Sequence, residues 1–135
     1  MQPLYNSIGS TYGETRREDP AISHALAQYL GAGRAVSYLD LGCGTGNYTC
    51  ALAELGGDWH GLDVSSKMLR KAEAASQLVT WQPGNADALP YPDKTFAGVM
   101  CTLAIHHFPS LTSSFSEVFR VLHAGPFIIF TAFPE

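Results

Sequence analysis

Apolar residues recur along the chain with two alternating spacings, one typical of helices and one typical of buried strands. Asp19-Pro20 is a helix start, and the apolar residues after it keep helical spacing as far as Gly31 and Gly33. Further helical spacings occupy residues 48–55, 68–75 and 111–122. Short β-prone runs predict strands at residues 36–41, 59–64, 78–82, 96–102 and 127–133.

Strands that alternate with helices predict the fold class and the place of a ligand. Such strands need crossover connections, which belong to a mostly parallel sheet with helices on both faces, so the chain is predicted to be an α/β protein. Ligands of these sheets bind beyond the carboxyl ends of the strands. The loops expected to form the walls of a site are residues 42–46, 63–66, 84–89 and 103–108.

Composition narrows the classes of protein. A chain of 135 residues with 46% apolar and 15% charged positions is predicted to form a single globular domain. The net charge of -4 and the lack of a basic stretch argue against a nucleic-acid partner. No apolar run reaches the roughly 18 residues of a membrane span, and the N-terminus does not resemble a signal peptide, so we expect a cytoplasmic protein.

Three cysteines without a CxxC pair suggest neither a disulfide framework nor a zinc site, and no metal is expected.

The segment Gly42-Cys43-Gly44-Thr45-Gly46 follows the first predicted strand and opens a helix. Glycine lets the backbone turn tightly and lets a ligand lie against bare peptide N–H groups. Three glycines at alternate positions favour a nucleotide-like ligand over a plain tight turn. Asp63 stands 21 residues after Gly42, at the end of the second predicted strand, where a ribose-binding carboxylate is expected.

A nicotinamide-dinucleotide enzyme is a less favoured alternative. Its G-x-G-x-x-G pattern would put a glycine at position 47, where this chain has Asn47. Asp40 lies two residues before the first glycine, where its charge would repel a pyrophosphate and suit a cationic ligand. A cationic nucleoside fits this pattern better.

Five ordered stretches resemble the class I S-adenosylmethionine-dependent methyltransferases, especially the ubiquinone/menaquinone-biosynthesis group. They are residues 38–46, 61–69, 84–90, 96–108 and 120–125, and residues 5–16 resemble the leader of the family. The resemblance implies a Rossmann-like three-layer α/β/α sandwich with strand order 3-2-1-4-5. The whole chain, 1–135, would be one domain, with a leader and helix at 1–33 and the Rossmann-like core at 34–135.

The resemblance also implies S-adenosyl-L-methionine as cofactor and S-adenosyl-L-homocysteine as product. Gly42, Gly44 and Gly46 would carry the methionine part and the ribose. Asp40 would meet the ammonium group directly or through water, and Asp63 would accept both ribose hydroxyls. The further cofactor-binding positions are Tyr12 and Arg16 in the leader, Cys43 in the glycine loop, Val64 and Met68 against the adenine, Asn85, Ala86, Asp87 and Ala88 at the adenine edge, and Leu103 near the methionine chain.

The reaction implied is methyl transfer by direct in-line attack, which asks the protein mainly to hold two reactants in geometry. His106 and His107 follow the fourth predicted strand, and either one could remove a proton from the acceptor or simply belong to the loop. That strand ends without the Asn-Pro-Pro-Tyr type of motif associated with nucleobase or glutamine methylation. A small-molecule acceptor is therefore expected.

Related enzymes usually continue beyond the fifth strand, so the sequence predicts a C-terminally truncated fold that lacks the last strands. Residues 127–133 would then form an apolar edge strand, which could pair in a homodimer. The activity of so short a chain is open. The alternative is a catalytically inert module that binds S-adenosylmethionine or serves an interaction.

Overall fold

The computed structural model describes residues 18–102, 104 and 108–131. The helices are α1 (Pro20–Leu30), α2 (Asn47–Ala53), α3 (Ser66–Ala75) and α4 (Leu111–Val121). The strands are β1 (Ser37–Leu41), β2 (Asp58–Asp63), β3 (Val79–Pro83), β4 (Gly98–Thr102) and β5 (Phe127–Phe130). None of the helices in these segments is long and apolar enough to cross a membrane.

The strands form one parallel sheet in the order β3-β2-β1-β4-β5, which confirms the predicted fold class and strand order. The observed β1 is one residue shorter than predicted, and β4 and β5 are shorter by more. Phe96 precedes β4 and pairs in an isolated bridge with Leu122. The last strand ends at Phe130, and residues 132 and 133 of the predicted run lie outside the described residues.

Helices cover the sheet on both faces because successive strand residues point to opposite sides. Tyr38 of β1 belongs to a core cluster with residues of α1 and α2, whereas its neighbour Leu39 belongs to a second cluster with residues of α4. The three layers follow from this alternation. The first cluster holds Leu26, Leu30, Tyr38, Tyr48, Leu52, Ala53, Trp59, Val79 and Met100.

Polar residues fix where the helices begin. Asp19 caps α1, since its Oδ1 accepts from the N–H of Ala21 at 2.9 Å. Ser65 caps α3 in the same way through the N–H of Met68, and Ser110 caps α4. These caps satisfy backbone donors that a helix leaves free. The helix α2 differs, since it begins after Gly46 without a side-chain cap.

The turn into β5 contains a strained alanine. Ala124 has a φ of 55°, in the left-handed region that favours glycine, and it precedes Gly125, where a methyl group would collide with the carbonyl of Ala97. We expect Ala124→Gly to raise the free energy of unfolding by about 0.5–1 kcal/mol, because relief of the left-handed strain exceeds the added entropy of the unfolded chain. Urea unfolding measures this difference.

The matched control makes the same chemical change in ordinary helical backbone. Ala74 is exposed on α3, and Ala74→Gly should lower the free energy of unfolding by about 1 kcal/mol. Equal signs for the two variants would contradict the account of strain at Ala124.

Candidate functional site

A cavity of about 540 Å³ opens at the carboxyl ends of the strands. Its volume is in the range of pockets that hold small molecules and cofactors. Each of the four loops expected from the sequence contributes to its walls. The described residues that line it are Gly42, Cys43, Gly44, Thr45, Asn47, Tyr48, Leu62, Asp63, Val64, Ser65, Met68, Gly84, Asn85, Ala86, Thr102, Ala104, Phe108 and Pro109.

The glycine loop is tied to the neighbouring strand and packed on one side. The N–H groups of Gly42 and Cys43 both donate to the carbonyl of Leu62, at 2.8 and 3.0 Å. Gly44 and Gly46 have φ values of 59° and 82°, where glycine is favoured. A methyl group on Gly44 would meet no atom within 4 Å, so the loop is open at this point of the cavity wall.

The side chain of Trp81, which was not among the predicted site residues, packs against Gly46. A methyl group there would lie 2.5 Å from Cη2 of Trp81. The indole of Trp81 also covers Gly61 of β2, and its Nε1 donates to the carbonyl of Ser76 at 3.1 Å. Gly46 is not among the described residues that line the cavity, and its predicted ligand contact stays a prediction.

Asp63 joins the glycine loop to the end of β2. Its Oδ2 accepts from the N–H of Gly44 at 2.8 Å, and its Oδ1 accepts from the N–H of Ser65 at 2.9 Å. Each carboxylate oxygen can accept a second hydrogen bond. Because Asp63 lines the cavity, the remaining lone pairs suit a ligand with two adjacent hydroxyls, as a ribose has.

Asp40 lies beneath the glycine loop rather than in the wall of the cavity. It is buried, and its Oδ2 accepts from the hydroxyl of Thr49 at 2.6 Å. Its Oδ1 is also buried and has no hydrogen-bond partner among the described residues. Burial raises the pKa of Asp40 to about 7, although the Thr49 hydrogen bond lowers it, and the nearby charge of Asp63 raises it further.

The unpartnered oxygen of Asp40 indicates which charge of ligand would suit the neighbourhood of the glycine loop. A buried carboxylate oxygen without a donor costs free energy, and a positive charge or an ordered water nearby would reduce that cost. The surroundings of Asp40 therefore suit a ligand with a positive charge better than a pyrophosphate.

Burial raises the thiol pKa values of Cys43, at the cavity, and of Cys101, in β4. Cys43 lines the cavity, and burial together with the charges of Asp40 and Asp63 raises its pKa far above the ordinary value. Burial is also the main cause that raises the pKa of Cys101 to about 12. A thiol that stays protonated is a poor nucleophile and a poor metal ligand. Within the described ranges, no group of three or more His, Cys, Asp or Glu side chains is placed to hold a metal.

The side of the cavity assigned to adenine carries exposed apolar side chains. Val64 is 75% exposed and Met68 is 40% exposed, and both line the cavity. Asn85 and Ala86 line it as well, whereas Asp87 and Ala88 are not among its described lining residues. Oδ1 of Asp87 instead accepts from the hydroxyl of Ser114 at 3.2 Å.

Some of the residues that line the cavity were not predicted from the sequence. Tyr48 was assigned only to a helix face, yet it lines the cavity and its hydroxyl accepts from the N–H of Asp19 at 3.1 Å. Asn47 directly follows the glycine loop and Thr102 directly precedes the predicted loop 103–108, so adjacency could have identified both. Thr45, Ser65 and Ala104 lie within the loops expected to form the walls. The predicted site residues Tyr12, Arg16, Leu103, His106 and His107 lie outside the described residues.

Comparison with known proteins agrees with the fold. A family model described as a methyltransferase domain matches residues 39–130. The chain is 42% identical over 96 residues to a demethylmenaquinone methyltransferase of Symbiobacterium thermophilum, a match that covers 64% of this chain and 38% of that protein.

Two solved structures are also similar. A proposed methyltransferase from an antibiotic biosynthesis pathway of Anabaena variabilis superposes with a TM-score of 0.82 at 36% identity, covering 87% of this chain and 47% of that one. An S-adenosylmethionine-dependent methyltransferase of Mesorhizobium loti superposes with a TM-score of 0.68 at 28% identity, covering 81% of this chain and 50% of that one. The chain thus spans half of each of these relatives or less. It belongs to the methyltransferase domain family, which implies S-adenosyl-L-methionine as its cofactor.

Proposed function

We propose that the chain binds S-adenosyl-L-methionine in the cavity at the carboxyl edge of the sheet and serves methyl transfer to a small-molecule acceptor, with S-adenosyl-L-homocysteine as product. The observation that carries the proposal is the hydrogen bond from the N–H of Gly44 to Oδ2 of Asp63. It joins an open glycine loop and a carboxylate with free lone pairs at one cavity. Family membership supports the same ligand.

The residues proposed for the site would each contact a different part of the cofactor. Asp63 accepts the ribose hydroxyls, Val64 and Met68 pack on the adenine, and the loop at 85–88 meets its edge. Asp40 balances the ammonium group directly or through water. Tyr12, Arg16, Cys43 and Leu103 complete the proposed set on the strength of the family resemblance alone.

The cofactor supplies a methyl group on a positively charged sulfur, which an acceptor can attack in line without a covalent intermediate on the protein. The chain has to orient the two reactants and keep water out. The described residues that line the cavity at the end of β4 and after it are Thr102, Ala104, Phe108 and Pro109, and these four are uncharged. This lining supports an acceptor whose part inside the cavity is uncharged, as a quinone-type ring would be. His106 and His107 remain candidate bases for its proton.

Two alternative functions would give different experimental results. A catalytically inert module would bind the cofactor without transferring its methyl group. A nicotinamide-dependent oxidoreductase would bind NADH, and the unpartnered Asp40 oxygen and Asn47 do not favour it. Cytoplasmic location and pairing of two chains through the edge strand β5 stay predictions.

Removal of the Asp63 carboxylate is the direct test of the site. We expect Asp63→Ala to weaken binding of S-adenosylhomocysteine by about 1.5–3 kcal/mol, or roughly 10- to 150-fold, because the variant loses a charged hydrogen-bond acceptor. Isothermal titration calorimetry of the folded chain measures the change, with NADH titrated in parallel.

Asp58 provides a matched control, since it begins the same strand that Asp63 ends. Asp58→Ala should leave the affinity unchanged. If Asp63→Ala bound as tightly as the parent chain, the site assignment would be wrong. Failure of the folded parent chain to bind S-adenosylhomocysteine at all would overturn the proposed function.

A further inference from the structure

Three polar side chains on α4 hold the loop that follows β3. Ser114, Glu117 and Arg120 are spaced three residues apart, so they follow one side of the helix. Oε1 of Glu117 accepts from the N–H of Leu89 at 2.7 Å, and Nη2 of Arg120 donates to the carbonyl of Leu89 at 2.9 Å. The hydroxyl of Ser114 donates to Oδ1 of Asp87. We call these three side chains the α4 clamp.

The α4 clamp forms hydrogen bonds with a turn at residues 85–89, and this turn also has internal hydrogen bonds. Oδ1 of Asn85 accepts from the N–H of Asp87 at 2.9 Å, and the carbonyl of Asn85 accepts from the N–H of Ala88 at 3.1 Å. Ala86 is buried and lines the cavity, and Leu89 is buried three residues later. Because the turn is short and internally bonded, the position of Leu89 fixes the position of Ala86 at the cavity wall.

Arg120 is itself held in one orientation. Its Nε donates to Oε2 of Glu117 at 2.8 Å, and its Nη2 donates to Oε1 of the same carboxylate at 3.0 Å. The hydrogen bond from Arg120 lowers the pKa of Glu117, so the carboxylate is ionised near neutral pH. Nη1 reaches the carbonyl of Tyr91 and the carboxylate of Asp93, at 2.8 and 2.9 Å.

The ion pair between Arg120 and Asp93 is open to water. The side chain of Arg120 is 32% exposed and that of Asp93 is 74% exposed, and ion pairs so open to water add little free energy. The planar guanidinium can donate to two backbone carbonyls and a carboxylate at once, which a lysine ammonium cannot do with the same fixed spacing. The hydrogen bonds of Arg120 to the carbonyls of Leu89 and Tyr91 thus tie the backbone of the loop to α4.

We propose, resting on the proposed function, that Glu117 and Arg120 are positioning residues for recognition of the purine ring. They line no part of the cavity. They act through Leu89 and Tyr91, which set the position of the turn that carries Asn85 and Ala86. A ligand whose purine edge is recognised by this turn should therefore lose affinity when the clamp is broken, even though no residue in contact with it has changed.

The test compares two ligands that differ at the purine edge. S-adenosylhomocysteine and S-inosylhomocysteine, which has an oxo group in place of the amino group, are titrated with the parent chain, Arg120→Ala and Arg120→Lys. We expect the parent to prefer the adenosyl ligand about tenfold or more, the scale of one well-placed hydrogen bond. Arg120→Ala should reduce that preference at least about threefold, and Arg120→Lys should reduce it less, because one carbonyl contact can survive.

The ratio of the two affinities is the informative readout because both ligands draw on the same folded population. Partial unfolding of a variant therefore cancels in the ratio. Glu117→Gln is a second, nearly isosteric variant, and its amide oxygen can still accept from Leu89, so its loss of preference should be small. Arg70→Ala on the exposed side of α3 removes an arginine away from the loop and should leave the ratio unchanged.

The outcomes separate this inference from the proposed function. If the parent chain binds neither ligand, the proposed function fails and the inference fails with it. If the parent binds and prefers the adenosyl ligand but Arg120→Ala keeps the full preference, or weakens both ligands equally, the positioning role is wrong and the proposed function stands. A parent chain that binds both ligands equally would also overturn the role of the turn in purine recognition.

Discussion

Replacement of Gly46 by alanine is expected to lower the free energy of unfolding by about 2–5 kcal/mol. The added methyl group would lie 2.5 Å from Cη2 of Trp81 and 3.3 Å from Cβ of Ala72, so the indole or the helix must move. Such overpacking costs about 1–3 kcal/mol. The φ of 82° adds about 1–2 kcal/mol for a residue with a side chain. Urea unfolding followed by circular dichroism measures the sum.

Gly44 is the matched control for this change. It also has a positive φ, 59°, but a methyl group there meets no atom within 4 Å. We expect Gly44→Ala to lower the free energy of unfolding by only about 1–2 kcal/mol. Since Gly44 lines the cavity, the same variant should weaken S-adenosylhomocysteine binding. Equal losses of stability in the two alanine variants would contradict the role of Trp81.

The second large effect is a pH dependence of stability that comes from Asp40. Burial raises its pKa from 3.8 to about 7, so between these values the folded chain binds a proton that the unfolded chain has released. The contribution of Asp40 to the free energy of unfolding therefore falls as the pH rises through this window. Each unit of pKa shift corresponds to about 1.4 kcal/mol, which sets an upper limit of about 4 kcal/mol at neutral pH and above.

Asp40→Asn isolates this contribution. The amide keeps an oxygen that can accept from Thr49 and carries no charge at any pH. The stability of the variant should fall less than that of the parent between about pH 4 and pH 7, as measured by urea unfolding at several pH values. Asp58 and Glu117 have pKa values lowered from 3.8 and 4.5, so their contributions are lost as the pH falls past the acid end of this window, opposite in sign to that of Asp40. Parallel pH profiles for the two proteins would show that Asp40 is not the group responsible.

Much of the fold could be predicted from local spacing because helices and parallel strands have different periods. The run at residues 36–41 and the glycines after it predicted β1 and the turn into α2, and the structure has both. The β-prone run at residues 59–64 predicted β2 with Asp63 at its end, and the structure has both. These features depend on contacts between residues near one another in sequence or on the register of adjacent strands.

The side-chain partners could not be predicted in the same way. The sequence suggested that Asp40 faces a cationic ligand, and the structure adds that it is buried, bonded to Thr49 and outside the cavity wall. The sequence assigned Asp87 to the adenine edge, and the structure directs one of its carboxylate oxygens to Ser114, 27 residues away. Such partners depend on which helix packs on which face of the sheet.

The sequence by itself determined the order of the elements, the family, the glycine loop and the acidic residues at the ends of β1 and β2. Only the tertiary structure decided that Trp81 closes the loop at Gly46 and that Arg120 and Glu117 hold the turn at the cavity wall. The reason is physical. Spacing along the chain fixes local backbone structure, whereas contacts such as that between Arg120 and Leu89, 31 residues apart, exist only once both faces of the sheet are packed.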